Sequence, residues 1–260
     1  MVLARVDILG VPATPCTMDE AVDRVAFCIQ TGRRSFMTFS GVHGVMEAQR
    51  HPEVLRAHCA ADLVACDGAP LVWGSRWAGV KISGRITGRD FVVACCARAE
   101  AEGWNSFLYG GKPGVAERLG EALQDRFPAV KIVGTYTPPF RAMTPREDEQ
   151  IVDAINASHA DLVWVGLSTP QQELWMAGHR DRLHPAVLFG VGAAFDYLTG
   201  ELSPAPEWMQ RMGLEWVFRM ILEPRRLAPR YLRNNLAFIR AIAHNRPRLL
   251  PGATSFPRAS

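Results

Sequence analysis

Short apolar runs of strand length alternate with longer amphipathic stretches along most of the chain, and this alternation limits the possible folds more than any other feature. The runs lie near Arg5 to Leu9, Ser35 to Phe39, Asp62 to Cys66, Ser106 to Tyr109, Lys131 to Tyr136, Leu162 to Gly166 and Val187 to Val191. Between them, helical periodicity covers Met18 to Gln30, His43 to Arg50, Asp90 to Glu102, Val115 to Arg126, Pro145 to Ala157 and Pro170 to Leu183. Such an order predicts an α/β protein with a mostly parallel sheet covered by helices on both faces, Rossmann-like in organisation. Sheets of this kind bind ligands beyond the carboxyl ends of their strands, so the residues directly after each strand carry the functional expectation.

Four strand ends stand out. They read Thr38-Phe39-Ser40-Gly41, Cys66-Asp67-Gly68-Ala69-Pro70, Tyr109-Gly110-Gly111-Lys112-Pro113-Gly114 and Gly166-Leu167-Ser168-Thr169-Pro170-Gln171-Gln172-Glu173. Each opens a helix, and converging helix N-termini with glycines suit a phosphate-bearing ligand. Locally, Gly110-Gly111 also fits a plain tight turn, and Asp67 before Gly68 and Pro70 also fits an ordinary helix cap.

Several chemistries lack their sequence patterns. The chain has no Gly-x-x-x-x-Gly-Lys-Ser/Thr, no Gly-x-Ser-x-Gly, no His-Glu-x-x-His and no Asp-x-Asp, and the run from Gly190 to Phe195 is only part of a dinucleotide fingerprint. A site without paired metal-binding carboxylates must neutralise a leaving diphosphate with Arg and helix dipoles. His43, His179 and His184 share no ligand spacing and read as capping or surface residues. The six cysteines form no Cys-x-x-Cys pair and read as reduced structural thiols.

Charge is spread unevenly. Residues 211–260 hold ten Arg against two Glu, a net of +8, which leaves residues 1–210 at −5. A basic end on an acidic body asks for an anionic partner. The first residues lack a signal-peptide pattern, and no stretch reaches the ~18 apolar residues of a membrane span, so the expectation is a chain neither exported nor bilayer-spanning. Length and hydropathy pattern predict a body over 1–203, a basic helical appendage over 204–245 with a new helix beginning near Pro229, and a flexible tail over 246–260. Arg230, Arg233 and Arg240 fall on one face of that helix, with Tyr231, Phe238 and Ile242 on another. An Arg-rich nucleic-acid binder would want interleaved aromatic platforms or a reading motif, and the tail's aromatics fit packing as well.

Taken together, the ordered blocks carry a resemblance. They include Thr38, Asp67-Gly68 with Val72-Trp73, Arg85-Ile86-Thr87-Gly88, Gly110-Gly111, Gln172-Glu173, Asp196, Trp208, Trp216 with Arg219, and Glu223-Pro224-Arg225-Arg226. From about Val6 to Leu232 the chain resembles the WecG/TagA/CpsF family of bacterial glycosyltransferases (glycosyltransferase family 26). The resemblance implies an inverting enzyme that moves a sugar from a UDP-sugar to a polyprenyl-diphosphate-linked saccharide in cell-surface polysaccharide assembly, with no cofactor, no metal and no nucleic acid. It implies Asp67 as general base and Thr38, Gln172 and Asp196 as pocket or donor contacts. Arg219, Arg225 and Arg226 would close over the diphosphate. Ser40, Arg85, Gly110 and Gly111 complete the expected substrate contacts, and the location implied is the cytoplasmic side of the membrane, held peripherally through anionic lipid. Ser40 stands where the family commonly has Asn, Val42 where an acid is common, and Pro204 where Arg is usual. The alternative is a non-catalytic sugar-nucleotide or polyprenyl-phosphate binding module on the same fold.

Overall fold

The computed structural model describes residues 2–251 and 254–255, with the side chains of residues 2, 211, 226, 254 and 255 outside that description. The chain opens with strands β1 (Val2–Leu3), β2 (Val6–Ile8) and β3 (Val11–Ala13), then helix α1 (Met18–Thr31). Thr17 starts α1 through a capping box with Glu20, and Gly32 ends it in the left-handed conformation. There follow β4 (Ser35–Ser40), α2 (Val42–Arg50), α3 (Pro52–Ala60), β5 (Leu63–Cys66), α4 (Ala69–Trp77) and α5 (Gly88–Glu102). Next come β6 (Asn105–Gly110), α6 (Val115–Arg126), β7 (Lys131–Tyr136), α7 (Pro145–Ala157), β8 (Leu162–Gly166), α8 (Gln171–His179), β9 (Val187–Gly190) and α9 (Ala194–Leu198). The chain closes with α10 (Glu207–Arg211), α11 (Glu215–Leu222), α12 (Pro224–His244), β10 (Arg248–Leu249) and β11 (Thr254–Ser255).

Six strands form one sheet in the order β5-β4-β9-β8-β6-β7, with every pairing parallel. Parallel strands buried on both faces need continuous apolar sequence, and β4, β5 and β9 are buried at every residue. One face packs on α1, α5, α6 and α9, through Val25, Phe91, Leu119 and Phe195. The other packs on α2, α3, α4, α7, α8 and α12, through Met46, Val54, Leu71, Ile155, Met176 and Phe238. The first expected strand, near Arg5, lies outside this sheet: β2 pairs antiparallel with β3 and β10 in a separate three-stranded sheet. Within the segment expected as a tail, β10 joins β2 and β11 pairs with β1. All six cysteines are free thiols, and five of them are buried.

The last long helix differs from expectation in its start. It begins at Pro224, where a missing N–H costs nothing, and runs on through Pro229. Fully buried Leu227 holds the first turn against the body. Buried Phe238 and Asn234 fix the middle of the helix on α2, where the Asn234 amide meets His43 at 3.0 Å and accepts from Arg50 at 2.6 Å.

At the β6–β8 pair the two strands finish side by side, Gly110 against Gly166. Gly110 has φ of 122°, and a Cβ there would lie 2.7 Å from the Gly166 carbonyl. A side chain at this position therefore faces both strain and collision. Gly110→Ala is expected to lower stability by about 2 kcal/mol or more in urea unfolding; an unchanged midpoint would contradict the close approach.

Candidate active site

Three strand-end turns meet at the carboxyl edge of β5, β4 and β9. The Asp67 N–H donates to the Ser40 carbonyl at 3.0 Å, and the two glycines that follow, Gly41 and Gly68, pass so closely that a Cβ on Gly68 would sit 3.2 Å from the Gly41 Cα. Ile86 N–H donates to the Cys66 carbonyl at 3.0 Å, which brings Arg85 and the start of α5 alongside Asp67. Helix α4 takes Gly68 as its N-cap, and the Asp67 carboxyl just before it accepts from the Gly88 N–H in the first turn of α5. That carboxyl is partly buried. Removal from water pushes its pKa up to about 7, the charges of Glu215 and Asp90 push the same way, and Arg85 and the Gly88 N–H pull it down. Arg85 in turn donates to Glu215 of α11, so one ion pair ties the C-terminal helices to the acid.

Beside this centre, on the α8 side of the sheet, Thr38 is the register partner of Gly190 and fully buried, and its hydroxyl has no partner in the fold. Gln172 lies over Gly190. Its amide nitrogen donates to the Gly190 carbonyl at 3.0 Å and to the Glu173 carboxylate at 3.2 Å. Gly190 has no room for a side chain, because a Cβ would meet Met176 at 2.6 Å and the Gln172 amide at 3.1 Å.

The other expected residues fall in different settings. Ser40 is buried under α2, where a Cβ on Gly44 would collide with its hydroxyl, and its one weak bond goes to the neighbouring Gly41 carbonyl at 3.5 Å. Gly111 was expected to contact substrate, but its N–H is spent on the Gly166 carbonyl at 3.0 Å, because the β6 and β8 ends are drawn together. Asp196 sits in the first turn of α9, whose Tyr197 ring lies 5.8 Å from the guanidinium of Arg219 and 5.8 Å from that of Arg89. Arg89 also reaches Gln210 of α10 at 3.4 Å. Arg225 is exposed at the start of α12, and the Arg226 side chain lies outside the described residues.

The sequence reading missed three acids: Asp90, Glu215 and buried Glu173. Each left only a generic sign, an acid in the first turn of its helix, α5 for Asp90, α8 for Glu173 and α11 for Glu215. His43, read as a capping or surface residue, is bonded to Asn234 and partly buried, and burial with Arg230 nearby lowers its pKa. Two surface grooves, of about 750 Å³ beside Cys16 and Arg76 and about 700 Å³ between Arg89 and Pro204, are lined by none of Asp67, Thr38 and Gln172. The crevice at the strand ends lies apart from both grooves.

An all-parallel, doubly covered sheet with its polar residues gathered at the strand ends defines a Rossmann-like α/β protein. The model for the glycosyl transferase WecG/TagA/CpsF family matches residues 6–250, and the chain belongs to that family. It is thus a glycosyltransferase-family protein, with a sugar donor and an acceptor as its two substrates.

The raised Asp67 pKa has a consequence for stability. An acid whose folded pKa lies above its unfolded value near 3.8 favours the folded state when protonated. Its contribution is full below about pH 4 and is lost as the pH rises through 7. Asp67→Asn should remove that slope and leave the variant more stable than the wild type at pH 8, by about 1–2 kcal/mol since the carboxyl is only partly buried. Urea unfolding at pH 5 and pH 8 measures this, and parallel behaviour of the two proteins would contradict it.

Proposed function

We propose that the protein is an inverting, metal-independent transferase that moves a sugar from a UDP-sugar to a polyprenyl-diphosphate-linked saccharide, with Asp67 as the general base. The observation that carries this reading is the Asp67 carboxyl at a strand end, beside Arg85, with its pKa raised to about 7. A base with a pKa near the working pH is best matched to accept a proton as a hydroxyl attacks. In a single displacement the acceptor oxygen bonds to the anomeric carbon while its proton passes to Asp67. The bond from that carbon to the diphosphate oxygen breaks, and UDP departs with the electron pair. Charge growing on UDP would be met by Arg85, Arg219, Arg225 and Arg226. Metal independence rests on the absent Asp-x-Asp sequence.

A peripheral position on the cytoplasmic face of the membrane fits the outer face of α12. Among the described residues no helix is long and apolar enough to cross a membrane. Leu232, Leu236 and Ile239 of α12 are nonetheless 60%, 55% and 61% exposed, and Arg233 and Arg240 are exposed beside them. Arg230, expected on that face, is instead half-buried. Apolar side chains flanked by Arg suit an anionic lipid surface, where each cation adds about 1 kcal/mol.

UDP release from a panel of UDP-sugars, with and without a polyprenyl-diphosphate-linked sugar, tests the reaction. Acceptor-dependent release that survives excess EDTA is expected, and release abolished by EDTA and restored by magnesium would sink metal independence. Asp67→Asn should lower turnover about a hundredfold or more with UDP affinity little changed. The wild-type kcat/KM should fall below about pH 7, as protonation removes the base. Retention of that acid limb at near-normal turnover in the variant would leave Asp67 without its role. For the membrane contact, replacing Leu232, Leu236 and Ile239 together by Ser should abolish co-sedimentation with phosphatidylglycerol vesicles at low salt, and undiminished sedimentation would reject it.

A further inference from the structure

Gln172 and Glu173 hold two of the buried polar side-chain atoms that the fold leaves without a partner, the Gln172 Oε1 and the Glu173 Oε2. Both residues are almost fully buried, at 2% and 1% exposure. A buried acceptor left unpaired costs stability, and its persistence points to a ligand group that completes it. The orientation of the Gln172 amide is chemically forced. Its two neighbours on one side, the Gly190 carbonyl at 3.0 Å and the Glu173 Oε1 at 3.2 Å, are both acceptors, so the NH2 must face them. Both N–H groups are then used and the carbonyl oxygen points elsewhere. It points toward Gly192, where a Cβ would lie 3.5 Å from it. Glu173 is itself held in place, since its Oε1 also accepts from the Thr169 hydroxyl at 2.9 Å.

We propose that Glu173 is a positioning residue: it turns the Gln172 amide so that the cleft presents a carbonyl oxygen, an acceptor, to a hydroxyl or N–H of the sugar being transferred. The inference rests on the reading of the protein as a UDP-sugar transferase. It assigns that wall of the cleft to hydrogen-bond donors, with phosphate oxygens, which only accept, excluded from it. The fully buried Thr38 hydroxyl, the register neighbour of Gly190, can donate as well as accept and stands outside that assignment. An acid in the first turn of α8 also favours the helix dipole, and a role limited to that would leave the amide's orientation unaffected.

Two measurements on the full-length protein test the assignment. In ligand-free 15N-labelled protein, hydrogen exchange of the Gln172 side-chain amide, identified by its loss in Gln172→Met, should be slow. It should quicken about tenfold or more in Glu173→Met and stay within about threefold of wild type in Glu173→Gln, whose carbonyl still accepts. The kcat/KM for whichever of UDP-glucose, UDP-galactose and UDP-N-acetylglucosamine the wild type uses best should fall about tenfold or more in Glu173→Met, with the Kd for UDP unchanged. In a Gln172→Met background the same change should cost little more, because the residue it acts through is gone. Unaltered amide exchange in Glu173→Met, an equal kinetic loss in both backgrounds, or a hundredfold loss in Glu173→Gln would each overturn the positioning role. If the wild type turned over none of the UDP-sugars, the proposed function would fail while the exchange experiment still decided what Glu173 does to the amide.

Discussion

The ion pair between Arg85 and Glu215 joins two parts of the protein that the chain separates by 130 residues, and the site depends on it. Arg85 comes from the loop laid against β5 by the Ile86 to Cys66 bond, and Glu215 from the first turn of α11. Both side chains are largely shielded from water, so each charge needs the other. Asp67 sits within the field of both. Its carboxyl is raised first by burial and then by Glu215 and restrained by Arg85, so the contact that links α11 to the loop before α5 also bears on the proton affinity of the candidate base.

The same edge is shaped by absent side chains. Gly41 and Gly68 let the β4 and β5 turns touch, Gly110 and Gly166 do so for β6 and β8, and Gly190 leaves the space that Gln172 fills. Close approach of strand ends takes backbone N–H groups out of service, as at Gly111, and leaves side chains to define the polar character of the cleft. The result is a division. Acceptors at Gln172 and Glu173 lie over Gly190, while guanidinium groups at Arg85, Arg89 and Arg219 lie toward α9, α10 and α11. A ligand with hydroxyls at one end and a diphosphate at the other matches such a division.

Much of the fold was legible because parallel strands need unbroken apolar runs and helices a 3.6-residue period. Lys131–Tyr136, Leu162–Gly166, Val115–Arg126 and Pro145–Ala157 have the boundaries the pattern predicts. Helix α3 went unread, since it begins on Pro52 directly after α2, while α4 was expected only as a helix opening after Asp67, with no end assigned. Strand order is set by which faces pack, and no local pattern encodes it. The same holds for the site. Asp67 and Gln172 follow strands and Thr38 lies near the end of one, and all three were visible as such, whereas Glu215 and Asp90 act on Asp67 only through the folded arrangement. Pro229 misled because the rule that proline opens helices does not say which of two nearby prolines will do so, and buried Leu227 decides for Pro224.

The central claim is that Asp67 is a carboxyl whose proton affinity is tuned by burial and by the Arg85–Glu215 pair. Titration of the Asp67 side-chain carboxyl carbon by 13C NMR tests this directly, in the wild type and in Glu215→Gln. The account predicts a midpoint near pH 7 in the wild type and a lower one in the variant, where a neighbouring negative charge is gone and Arg85 is left to Asp67. A wild-type midpoint near 4, unmoved by the substitution, would contradict it.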